Sequence, residues 1–179
     1  ISKCDSSSAA FQSEEAGLVD FVGTEDEIMA QIRELVCMLP ANNEDDMSYD
    51  TCTDDLNRVC KDLANCAGDT SIALSQISDN NVFFEVKAEY AKDMVCGFIK
   101  LNGTTVGAVA NRCEIYDAEG NLVESMEPVL STRGARKAAE FVNFCDAFNI
   151  PVLTLTNVTG FKATKCSEAH IAKATAELT

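Results

Sequence analysis

The chain has 179 residues, 46% of them hydrophobic, and it is strongly acidic: 29 Asp and Glu against 14 Lys and Arg give a net charge of −15. That length holds one ordinary domain, or one domain plus an incomplete second, with enough apolar residues to bury a core. Scattered bases on so acidic a chain exclude a nucleic-acid partner, because binding to phosphate backbones runs on clustered Lys and Arg that displace counterions. No stretch approaches the ~18 apolar residues of a membrane span, and the amino end lacks the pattern of a signal peptide. The first residue is Ile1 rather than methionine, which reads as a cleavage or cloning boundary.

Nine cysteines invite a disulfide or metal reading. None forms a C-x-x-C pair, the count is odd, and the single histidine, His170, is far from any tight thiol pair. A zinc site and a closed disulfide framework are both expected to be absent. Cys96, Cys113 and Cys145 fall at apolar positions, where a thiol behaves as a small hydrophobe, so reduced thiols in a cytoplasmic protein are expected.

In chain order, residues 1–13 read as a polar loop or frayed end. Leu18, Val19, Phe21 and Val22 read as a short strand or extended segment ending at Gly23. Thr24 followed by Glu27 is a capping-box pattern, with Ile28, Ile32, Leu35, Val36 and Leu39 at helical spacing and Pro40 as the stop. Residues 41–54 are an acidic linker. A weak helix is expected over 54–66, closed by Ala67 and Gly68, and a second short one over 71–77. Val82, Phe83, Phe84 and Val86 then open a β-rich region. Residues 94–101 and 104–110 pair as a hairpin, since Asn102-Gly103 supplies two turn residues that accept positive φ. Residues 112–124 repeat the hairpin around Asp117–Asn121. Ser131 or Thr132 caps a helix whose apolar face carries Ala135, Ala138, Ala139, Val142, Cys145 and Phe148. Pro151 opens a buried strand, 152–155, that leaves through a glycine turn at Gly160. Ser167 caps a last helix with Ile171, Ala174 and Leu178 on its apolar face. The order strand, strand, helix, strand, helix predicts α/β layers. One βαβ-like unit is not expected to cover both faces of its own sheet, so the chain is expected to depend on further polypeptide.

Four stretches carry a resemblance: EEAGLVDFVGTEDEIMAQIRELVCMLPANN at 14–43, ISDNNVFFEVKAEYAKDMVCGFIKLNGTTVGAVAN at 77–111, KAAEFVNFCDAFNIPVLTLTNVTGF at 137–161, and the helix over 165–178. Together they resemble the carboxyltransferase subunits of biotin-dependent acyl-CoA carboxylases and decarboxylases. Two departures stand out. Residues 114–132 make a longer hairpin than propionyl-CoA carboxylase-like members carry, and Thr159-Gly160-Phe161 stands where many members have Pro-Gly-Phe or Pro-Gly-Tyr. The resemblance implies a crotonase-like (ClpP/crotonase) ββα superhelix, here partial. Residues 1–40 would close an amino-terminal carboxyltransferase domain, 41–80 would form an acidic linker, and 81–179 would open the carboxyl-terminal domain. It further implies acyl-CoA as substrate, biotin on a separate carrier protein or domain, a biotinyl carrier partner, a homo-oligomer and no metal.

The chemistry implied is transfer of a carboxyl group between N1 of biotin and the α-carbon of an acyl-CoA thioester, passing through an anion in either direction. Backbone N–H groups fixed about 3 Å from the developing oxyanion stabilise it without any titrating side chain. That fits the absence of a triad or acid–base pair from the sequence. The best donor candidates are the amides of Gly160, Phe161 and Lys162, with Gly160 and Phe161 taken as catalytic and Asn157, Thr159, Lys162 and Ala163 toward substrate and biotin. Arg133, Arg136 and Lys137 could meet CoA phosphates, although charges on the first turns of a helix are more often solvated. His170, Cys145 and Cys166 have no partner in the sequence for acid–base or nucleophilic work. The rival reading is a non-catalytic module that docks on a carboxyltransferase. A hydratase of the same fold is disfavoured for want of paired acids.

Overall fold

The computed structural model describes residues 5–45, 49–61 and 63–179. The parts of the predicted amino-terminal loop, acidic linker and weak helix at 1–4, 46–48 and 62 lie outside the described residues. A wide helical turn, Phe11–Glu15, replaces the end of the predicted loop. Residues 18–22 form no strand; Phe21 instead turns its ring edge onto Phe84 with centroids 5.2 Å apart.

Helix α1, Glu25–Met38, begins at the predicted capping box: the Glu27 amide donates to the Thr24 hydroxyl, and the Thr24 amide donates to the Glu27 carboxylate at 2.7 Å. The helix expected over 54–66 is absent, and only a 3-10 turn, Leu63–Ala67, forms there. Long-range partners win over local ones. Asp54 accepts from Arg58 at 2.7 Å and from the Asn80 amide at 2.8 Å. The same guanidinium donates to the carbonyls of Gln76 and Ser78. Those carbonyls lie at the carboxyl end of α2, Thr70–Ile77, whose amino end is capped by Asp69.

Strands β1 (Phe83–Val86), β2 (Met94–Leu101) and β3 (Thr104–Asn111) pair antiparallel in register. Asn102 and Gly103 take the left-handed φ values that the turn demands, 51° and 79°. Both their amides donate to the Asp79 carboxylate, which clamps the turn. The predicted second hairpin is β4 (Glu114–Tyr116) with β5 (Leu122–Ser125). After β6 (Val129–Leu130), Ser131 caps α3, Thr132–Ala147. Strand β7, Val152–Leu155, runs parallel to β3 and completes the sheet order β1-β2-β3-β7.

Alternation along β2 and β3 explains the core. Met94, Cys96, Phe98 and Val109 face α1 and α3 and pack with Met38, Ala138, Phe141 and Cys145. Val95, Ile99, Ala108 and Ala110 face the other way, onto Leu74 of α2. The central strands are therefore covered on both sides, the second by α2, which lies outside the β3-α3-β7 unit. Helix α3 comes close because Gly107 has no side chain; a Cβ there would lie 2.6 Å from Cys145 Sγ.

Two further expectations are corrected. Strand β7 is not buried: Val152 and Thr154 are exposed and Leu153 and Leu155 half-buried, since β7 is the edge of its sheet. The last helix, α4 (Lys165–Leu178), is capped by Thr164 rather than Ser167, with the Ser167 amide donating to the Thr164 hydroxyl at 3.1 Å. Ser167 is buried, and its hydroxyl lies 3.5 Å from that of Thr132 at the start of α3.

Candidate functional site

The six residues singled out from the sequence lie on one continuous exposed stretch between β7 and α4. The predicted glycine turn is an extended segment, β8 (Gly160–Phe161), paired parallel with β6 so that Val129 faces Gly160 and Leu130 faces Phe161. Gly160 is not among the glycines of positive φ, and a Cβ built on it meets nothing within 4 Å. Neither turn geometry nor packing inside this chain requires glycine at 160. The position does leave the ribbon open to close approach from outside the chain.

The surrounding polar groups are partly committed. The Lys162 amide, one of the three expected donors, instead donates to the Leu130 carbonyl at 3.0 Å and is taken up by β6. The Thr159 amide and hydroxyl both donate to the Pro128 carbonyl, at 2.8 and 3.1 Å. Asn157 donates from Nδ2 to the Ala67 carbonyl at 2.9 Å, tying the strand exit to the 3-10 turn. Ala163 and the Lys162 side chain are exposed, as is Phe161 at 58%. The stretch thus offers a small-residue opening at Gly160 and a projecting phenyl ring at Phe161. Among the described residues no group of His, Cys, Asp and Glu is arranged to hold a metal.

Of the basic residues on α3, Arg133 pairs with Glu15 at 3.2 Å and Arg136 with Glu177 at 3.8 Å, all four exposed. Lys137 departs most from expectation. It is 2% exposed, and its ammonium donates to the carbonyls of Tyr90 and Met94 at 2.8 and 2.7 Å. Burial lowers its pKa from 10.5, opposed by the negative charges around it. Nearby, Arg112 donates to the Lys92 carbonyl and pairs with Glu85 at 3.4 Å and more loosely with Asp69 at 4.0 Å. Glu85 Oε1 is close enough for that ion pair yet aligned for no hydrogen bond, and burial raises the Glu85 pKa from 4.5. Sequence reasoning missed this network. The usable signal was Lys137 standing between Ala135 and the pair Ala138, Ala139, within the apolar arc of α3.

The carboxyl transferase domain family matches residues 5–178, and the chain belongs to that family. The propionyl-CoA carboxylase beta chain of Roseobacter denitrificans is 37% identical over 142 residues, covering 75% of this chain and 26% of that protein. The methylmalonyl-CoA carboxyltransferase 12S subunit of Propionibacterium freudenreichii subsp. shermanii is 35% identical over 153 residues, 82% of this chain and 27% of that one. Methylmalonyl-CoA decarboxylase subunit alpha of Veillonella parvula is 31% identical over 154 residues, with 82% and 28% covered. Among solved structures, transcarboxylase 12S, a hexamer with methylmalonyl-CoA and methylmalonic acid bound, superposes with a TM-score of 0.79 at 30% identity. That match covers 94% of this chain and 33% of the other. The chain therefore spans about a quarter of the length of these relatives and a third of that structure. The fold is α/β and crotonase-like, in part. No helix among the described residues is long and apolar enough to cross a membrane.

Proposed function

We propose that this chain is part of an acyl-CoA carboxyltransferase that moves a carboxyl group between biotin and an acyl-CoA thioester in the cytoplasm. Residues 1–40 close one carboxyltransferase domain and 81–179 open a second, joined by the linker at 41–80. Biotin, on a carrier protein or domain, supplies the N1 position that carries the carboxyl group. One backbone amide of the segment Gly160 and Phe161, where successive amides alternate in direction, donates toward the oxygen on which negative charge grows, and Asn157, Thr159, Lys162 and Ala163 shape the approach. The partners are acyl-CoA, the biotinyl carrier and further copies of the same polypeptide.

The observation that carries this reading is the unexplained glycine. Gly160 sits extended and exposed with open space where a side chain would go, so its own chain gives no reason for it. Close approach of a substrate does. The test is Gly160→Val in the complete polypeptide that contains this segment, assayed for carboxyl transfer from methylmalonyl-CoA to biotin. A β-branched residue suits an extended backbone, so the melting temperature should hold. Turnover should fall at least tenfold, since the isopropyl group fills the open space through which a substrate would approach the backbone. Full turnover with an unchanged melting temperature would remove this stretch from the site and favour the docking-module reading.

A further inference from the structure

Between residues 18–20, α1 and the face of the sheet covered by α3 lies a cavity of about 240 Å³, and none of residues 157–163 lines it. Its wall is apolar, built from Leu35, Val86, Phe98, Phe141 and Phe144. Cys96 adds a thiol that burial pushes up to about 12, hence uncharged at neutral pH. Two cations also line it, the buried Lys137 and the half-buried Lys87. Lys87 Nζ holds Glu140 Oε2 at 2.7 Å, with the Lys87 side chain 18% exposed and that of Glu140 66%. The remaining charge on the lining is Asp20, which is exposed and therefore screened by solvent.

Lys87 is held in the left-handed region at φ 50°, a backbone that glycine adopts freely and lysine only at a cost. An ion pair with so exposed a carboxylate contributes too little to offset that cost. A lysine at this point is explained by what its ammonium can hold at the edge of an apolar cavity. We propose that the cavity binds a small aliphatic carboxylate of about eight carbons. Its chain lies against Leu35, Phe98, Phe141 and Phe144, and its carboxylate takes the place of Glu140 on Lys87. The volume suits the ligand: at ~25–30 Å³ per heavy atom, the cavity has room for roughly eight to ten. A cationic head group would be repelled by Lys87 at the rim, and an uncharged one would leave Lys87 with Glu140. The site is independent of the carboxyltransferase reading.

The experiment is calorimetric titration, with hexanoate, heptanoate, octanoate and 1-octanol, of the complete polypeptide that contains this segment. Octanoate is expected to bind saturably and below about 1 mM, a modest affinity for roughly ten heavy atoms. Each methylene from hexanoate to octanoate should tighten binding about fourfold, and 1-octanol should bind at least tenfold more weakly than octanoate. Lys87→Gly relieves the left-handed backbone, so its fold is expected to survive while the preference for octanoate over 1-octanol disappears. Leu35→Phe fills the cavity and should weaken octanoate at least tenfold. No saturable binding up to 10 mM, equal affinity for octanoate and 1-octanol, or an undiminished preference in Lys87→Gly would each overturn the proposal.

Discussion

Replacing Lys137 by Met tests whether the buried ammonium on α3 is part of the frame rather than a free cation. Its two donated bonds, 2.8 Å to Tyr90 and 2.7 Å to Met94, tie the first half of α3 to the loop entering β2. Methionine fills similar volume but leaves both carbonyls without that donor, at about 1–3 kcal/mol for each buried acceptor. Relief from burying a charge returns part of this, so the net loss is set at about 3 kcal/mol. For a chain of this length each kcal/mol shifts the melting temperature by about 2–4 °C, which places the variant about 6–12 °C below wild type. The pH dependence gives a second handle. Because burial lowers the Lys137 pKa below 10.5, the unfolded chain binds more protons than the folded one between the lowered value and 10.5. This group's contribution to stability therefore rises with pH through that window. The neutral amine still carries two N–H bonds, enough for both carbonyls. Cys96 and Cys145, pushed up to about 12 from 9.0, act in the opposite sense above pH 9. The quantity to read is thus the difference between wild type and variant in thermal melts followed by circular dichroism from pH 7 to 10. A variant as stable as wild type at pH 7, with the same pH profile, would refute the structural role given to Lys137.

Glu85→Gln removes a buried carboxyl whose pKa lies above 4.5 in the folded chain. In wild type this group's stabilising contribution is present below 4.5 and is lost as pH rises through the raised value, so the variant should show a flatter profile upward from pH 4.5 in acid-to-neutral melts; an identical profile would sink the assignment. Thiol labelling at pH 8 should modify the exposed Cys37 and Cys166 in the native chain and leave Cys96 and Cys145 intact until denaturant is added. Peptide mapping by mass spectrometry reads this directly, and early labelling of Cys96 would contradict its place in the core.

Legibility followed the range of the interactions. The capping box at Thr24 and Glu27, the Asn102-Gly103 hairpin and the start of α3 at Ser131 were readable because each is decided within a few residues. The helix expected over 54–66 failed because Asp54 and Arg58 find partners near residues 76–80. Ser167 was misread as a cap because its hydroxyl is buried beside Thr132, 35 residues away. The glycine turn expected after β7 is instead a strand, because the form of Gly160 depends on pairing with β6, whose Val129 lies 31 residues upstream. Lys137 shows the same limit: its place in the apolar arc of α3 signals burial, but its acceptors lie more than forty residues back and no local pattern marks them.

The frame and the candidate site make separable demands on the sequence. Helix α3 is held by a small-residue face against Gly107, by Phe141 packed on Phe98 with ring centroids 5.1 Å apart, and by the buried ammonium of Lys137. That rigidity fixes β6 before the helix and β7 after it, and so fixes the two ends between which β8 is drawn out beside Val129 and Leu130. Binding groups on exposed segments depend on such a scaffold for position while contributing little to it. Lys137→Met should therefore lower stability through the frame, whereas Gly160→Val should leave stability alone and lower turnover. Were Gly160→Val to unfold the chain, the open space beside Gly160 would be wrong, and the glycine would belong to the frame after all.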